Sequence, residues 1–168
     1  MGFARELRHL ARRFFSSRHP AAPSAHDVAV ARAVLSETEM DLWLSQAVGD
    51  RRHSADVARV LQARVGPGLV PAWVLAAALL HDIGKIDTDL GVAARVVAAV
   101  LKLARFGTFP GAIGRYLHYP QVGAARLSAA GSDPRTVAWA AEHHWSARRW
   151  TTPAPWAGHL RDADHQAV

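Results

Sequence analysis

The chain has 168 residues, a formal net charge of +6, a composition that is half hydrophobic, and no cysteine. Such a length suffices to bury the core of one domain, and the absence of thiols excludes both a disulfide framework and a thiolate zinc site. Alanine is abundant and strand-like alternation is scarce, so helices are expected. The chain holds no run of roughly 18 apolar residues such as a membrane span requires, and a cytoplasmic protein is expected.

The charge sits mainly at the start. Residues 1–20 carry Arg5, Arg8, Arg12, Arg13 and Arg18 against Glu6 alone, a local balance of +4 that leaves +2 for the other 148 residues. Phe3, Leu7, Leu10 and Phe14 recur at helical spacing among these arginines. Such a segment is either a solvated or packed helix, or a weak contact to an anionic membrane surface or a nucleic-acid backbone. The proline-containing stretch 19–27 reads as an irregular connection. The expected organisation is a basic amphipathic arm and linker over residues 1–22, followed by one all-α domain over residues 23–168, an orthogonal multi-helix bundle.

Further along, Ser36 with Glu39 forms a capping-box pattern that opens a helix over 37–48. The segment 50–66 places His53, Val57, Val60, Leu61 and Arg64 on one helical face and stops at Gly66-Pro67. Pro71 suits the first turn of the apolar helix "AWVLAAALLHDIG", with Gly84 as its end. Residues 88–105 form another expected helix and 107–114 a connection. A short "RYLHY" segment then precedes Pro120. Residues 121–131 read as a helix stopped by Gly131, Asp133-Pro134 starts the next, over 135–145, and residues 157–167 make the last. Trp73 and Trp139 are expected in the core.

His81 and Asp82 close an apolar run, where burial of a charged pair is costly unless something compensates it. His53 lies mid-helix, His118 in the short segment, His143 and His144 at a helix end, and Asp164 in the last helix. Imidazole nitrogen and carboxylate oxygen suit Fe, Mn, Co, Ni or Zn where thiolates are lacking. Neighbours on a helix lie about 100° apart, yet at a terminus both can reach one ion, and the two oxygens of Asp82 can bridge two. Taken singly, each residue also has an ordinary structural role. His9, His19, His26 and His159 are given none beyond that.

In their order, "RRHSADVARV", "LLHDIGK" and "LRDADHQ" resemble the HD-domain metal-dependent phosphohydrolases, whose pattern is a His, a His-Asp doublet and a distant Asp. The resemblance spans residues 50–166. It implies one ion held by His53, His81, Asp82 and Asp164, with Asp162 the alternative to the last. "HYPQVGAARL" and "AAEHHW" are similar to segments of members that bind a second ion, which would add His118, His143 and His144. No Gly-Tyr-Pro follows the paired histidines, so the cyclic-dinucleotide subgroup is not matched.

What the resemblance implies is hydrolysis of a phosphomonoester or phosphodiester, a nucleotide being the expected class, by attack of a metal-bound hydroxide, with one or two divalent ions. Asp82 and Lys85 would be catalytic. Lys85, four residues beyond His81, would share its side if the helix continued and would contact phosphate. Arg52, Arg115, Arg148 and Arg149 flank the ligand positions and could bind the rest of an anionic substrate. The alternative is a catalytically inactive regulatory module that binds metal or nucleotide.

Overall fold

The computed structural model describes residues 21–87 and 118–167. The arm over 1–20, the helix expected over 88–105, the connection 107–114 and Arg115 lie outside the described residues. Within them the chain is all-α. Seven α-helices follow in order: α1 (Ala25–Val34), α2 (Glu37–Ser45), α3 (Val48–Val65), α4 (Ala72–Leu80), α5 (Tyr119–Ala129), α6 (Pro134–Glu142) and α7 (Ala154–Gln166). Two short 3-10 turns, Ile83–Asp87 and Ala147–Arg149, complete the set.

The centre is α4. Every residue from Val74 to Leu80 is buried, as a helix apolar on all sides must be. It packs against α1, α2, α3, α6 and α7. Around it Trp43, Leu61, Leu127 and Leu160 are fully buried, each contributing about 2 kcal/mol of apolar burial. Trp139 joins this core as expected, while Trp73 is only half-buried and lies 4.5 Å beneath the Arg135 guanidinium.

Helix ends follow local chemistry. Ser36 and Glu39 make the expected capping box: the Glu39 amide donates to Ser36 Oγ, and the Ser36 amide donates to Glu39 Oε2 at 2.9 Å. Gly66 caps α3 with a φ of 117°, a conformation glycine adopts without penalty. Asp133 caps α6.

The helices expected over 37–48 and 135–145 stop three residues early, at Ser45 and Glu142, the one expected over 50–66 starts at Val48, and four further boundaries depart from expectation. The stretch 19–27 is not wholly a connection, because Ser24 and Asp27 form a second capping box that starts α1. The last helix begins at Ala154, upstream of the tract expected, with Pro155 tolerated in its first turn. Likewise α5 begins at Tyr119, with Pro120 in its first turn. Most consequential, α4 does not run on to Gly84: it ends at Leu80, and the chain tightens into the 3-10 turn Ile83–Asp87.

Gly84 shows why the turn sits there. It presses against α5 backbone to backbone, so that a β-carbon on Gly84 would lie 1.9 Å from the Tyr119 carbonyl oxygen and 2.7 Å from the Gly123 amide nitrogen. Gly123 reciprocates, its own β-carbon position lying 2.9 Å from the Gly84 nitrogen. This glycine-on-glycine contact sets the distance between the His81-Asp82 doublet and the start of α5. Gly84→Ala is therefore expected to cost about 3 kcal/mol or more of stability, at or beyond the upper end of ordinary overpacking. Gly131→Ala, at positive φ with open space around it, should cost only about 1 kcal/mol. Urea unfolding of the two variants beside the parent chain measures the difference.

Candidate metal centre

Four elements deliver one cluster. His53 projects from α3, His81 caps the C-terminus of α4 with Asp82 just beyond it, His143 caps the C-terminus of α6, and Asp164 comes from α7. On α7, Ala157, Leu160 and Ala163 are buried, which seats the helix against α3 and α4 and brings Asp164 to its edge.

Asp164 Oδ1 lies 2.9 Å from His53 Nε2 and 3.7 Å from His81 Nε2. Asp82 divides its oxygens: Oδ2 is 3.5 Å from His81 Nε2, and Oδ1 is 3.8 Å from His143 Nε2. The rings form a row, with centroids 5.6 Å apart from His53 to His81 and 5.2 Å apart from His81 to His143. His53, His81 and Asp82 each offer a ligand atom within 4.8 Å of the others, so this group could hold a metal ion. The donor types fit a first-row divalent metal without fixing which one.

The far side of each ring is tied to the main chain. His53 Nδ1 lies 2.9 Å from the Ala167 carbonyl, His81 Nδ1 2.9 Å from that of Ala78, and His143 Nδ1 3.0 Å from that of Ala140. A carbonyl only accepts, so in each ring Nδ1 carries the proton. In the neutral form Nε2 then presents a lone pair, and in all three rings it is aimed at a carboxylate. This is the support that metal-ligating histidines receive.

Burial sharpens the arrangement. His81, Asp82, Lys85 and His143 are buried, whereas the His53 and Asp164 side chains keep 12% and 18% of their exposure. The cluster thus opens to solvent on the His53–Asp164 side. Desolvation, reinforced by the neighbouring His81, lowers the His143 pKa to about 4, against partial opposition from Asp82 and Asp164.

Lys85 does not lie on the His81 side as an unbroken helix would place it. The 3-10 turn sets it instead on Asp82, where its ammonium donates to Oδ2. Arg52 is bound in a salt bridge with Asp56, 3.0 Å away, and Asp162 pairs with Arg64 rather than entering the cluster. Arg148 is exposed on the turn after His144, and Arg149 stacks on Trp145 at 4.6 Å. His118 is exposed at the N-cap of α5.

The neighbour of His118 reaches the paired histidines. Tyr119 Oη lies 2.5 Å from His144 Nε2 and 3.3 Å from His143 Nε2, although sequence reasoning gave Tyr119 no role. Glu142 was also missed. This buried carboxylate accepts from the amides and hydroxyls of both Thr151 and Thr152, and so ties the end of α6 to the strap leading into α7.

No family model matches the chain, and neither a curated protein nor a solved structure matches it.

A neutral buried His143 has a consequence for stability. Unfolded, its imidazole takes a proton near pH 6.5; folded, near 4. Between these values the unfolded chain binds more protons, so stability is fully present above pH 6.5 and declines as the pH falls towards 4. Chelator-treated protein is expected to lose roughly 3 kcal/mol across that window, and His143→Gln should flatten the slope. Denaturant unfolding at stepped pH checks both, and a parent profile as flat as the variant's would mean His143 is not held neutral.

Proposed function

We propose that the chain is a divalent-metal-dependent phosphohydrolase of the HD-domain type, acting on a phosphomonoester or phosphodiester of the nucleotide class. One observation carries this reading: three imidazoles, each anchored through Nδ1 to a main-chain carbonyl, aim Nε2 at the carboxylates of Asp82 and Asp164. Lone pairs facing anions call for a cation between them. The order of His53, His81, Asp82 and Asp164, which resembles that family's pattern, supports the same conclusion.

His53, His81, Asp82 and Asp164 would hold the ion, which when bound supplies Lewis-acid stabilisation of phosphoryl charge and a water of lowered pKa. The chain's own residues do the rest. The Nδ1 anchors keep the rings from turning away. Lys85 holds Asp82 Oδ2 and fixes the carboxylate's orientation. Burial of His81, Asp82 and His143 keeps bulk water out of one side of the cluster and so strengthens its field. Substrate approaches from the His53–Asp164 side, and Arg148 is the exposed cation suited to an outlying phosphate.

A second reading, a catalytically silent module that binds metal or nucleotide, is favoured by Lys85, whose ammonium is committed to Asp82. One assay separates the two. Protein loaded with Mn²⁺ or Fe²⁺ and screened against nucleotides and generic phosphate esters should turn over at least one class. Asp82→Ala should lose the ion and about a thousandfold or more in rate, the several kcal/mol of charge stabilisation that a Lewis acid provides. Metal content with nucleotide binding but no turnover would favour the silent module, and protein that takes up no metal would end both readings.

A further inference from the structure

Tyr119 confronts two imidazoles with one phenol. Its hydroxyl lies 2.5 Å from His144 Nε2 and 3.3 Å from His143 Nε2, and its ring centroid stands 5.7 Å and 6.0 Å from theirs. His143 Nδ1 already donates to Ala140, so the neutral ring turns a lone pair towards the phenol oxygen. One phenol hydrogen bonds one acceptor. Asp82 Oδ1 lies beyond, 3.8 Å from His143 Nε2, and the Lys85 ammonium sits 5.1 Å from the Tyr119 ring centroid. Two nitrogens, one phenol oxygen and a carboxylate oxygen therefore converge next to the His53–His81–Asp164 group, sharing Asp82 with it.

We propose that Tyr119 is a metal ligand: its phenolate oxygen, with Nε2 of His143 and His144, holds a second cation on the Asp82 Oδ1 side of the cluster. This rests on the reading that the first group binds metal. On binding, the phenol O–H bond breaks, the proton leaves to solvent, and the oxygen becomes an anionic donor, so uptake of this ion releases a proton. A hard phenolate donor beside two imidazoles suits iron, manganese or zinc. It also adds a negative charge that a histidine at this position would not. The competing arrangement is a simple relay in which His144 donates to the phenol and the phenol donates to His143, with no second ion.

Tyr116 and Tyr119 are the two tyrosines of the chain, which makes the test clean. In a Tyr116→Phe background Tyr119 is the sole tyrosine. Chelator-treated protein is titrated with Zn²⁺ while bound ions are counted by mass spectrometry and the near-ultraviolet tyrosinate difference band is followed. Two ions per chain are expected, the band and a released proton appearing with the second. Tyr119→Phe should retain one ion without the band, and Tyr119→His should regain two ions, still without it. If Tyr119→Phe fails to fold, the band in the Tyr116→Phe protein decides alone. Ion uptake without a tyrosinate signal, or two ions in Tyr119→Phe, would overturn the proposal. One ion with no signal would overturn it while leaving the first group's metal binding intact, and no ion at all would overturn both.

Discussion

The site depends on a carboxylate placed where water cannot reach it. Asp82 follows directly on an apolar helix that is surrounded by other helices, and its side chain is 2% exposed. An ionised carboxylate in such a place costs several kcal/mol unless compensated. Lys85 supplies compensation at Oδ2, while Nε2 of His81 faces Oδ2 and Nε2 of His143 faces Oδ1. Because each Nδ1 faces a main-chain carbonyl, the neutral form of either imidazole offers Asp82 a lone pair rather than charge, and Lys85 is the cation that donates to it. A pocket assembled this way could hold a cation.

The rest of the fold positions this geometry. The contact of Gly84 with Gly123 brings α5 to the doublet at backbone distance. That closeness is why Tyr119, at the first position of α5, reaches across to the end of α6. Glu142 anchors the other wall. With four donors from Thr151 and Thr152 converging on its two oxygens, it fixes the strap that turns the chain back into α7, and hence the approach of Asp164 to His53. Neither device belongs to the cluster, yet each positions an element that contributes to it.

How much of this the sequence disclosed follows the range of the interactions. The capping boxes at Ser36 and the stops at Gly66 and Gly131 are decided within three or four residues, and they were legible. The ordered His and Asp positions were legible too, through their resemblance to a known pattern, although His53 and Asp164 are 111 residues apart. The partner of Lys85 was not, because it depends on the α-helix giving way to a 3-10 turn, and that change is imposed by the crowding of Gly84 against α5. Helix α1 was partly hidden by the prolines before it, whose linker character masked the Ser24–Asp27 box. Tyr119 was overlooked because a tyrosine before a proline looks like packing, and only the placement of α5 shows that its hydroxyl, and not the exposed His118, faces His143 and His144.

Charge balance connects these features to chemistry. Counting Asp82, Asp164 and Lys85 alone, the cluster carries one net negative formal charge. On the proposed reading a single divalent ion turns that into one net positive charge, enough to attract a phosphate ester but modest against the charge that develops on its oxygens as the ester bond breaks. On the same reading the Tyr119 phenol keeps its proton until the second ion arrives, so the phenolate offsets one of that ion's two charges. The doubly loaded cluster then carries two net positive charges, against the three that a neutral histidine at that place would leave. The tyrosine thus moderates the charge gained with the second ion and makes its uptake the step coupled to proton release.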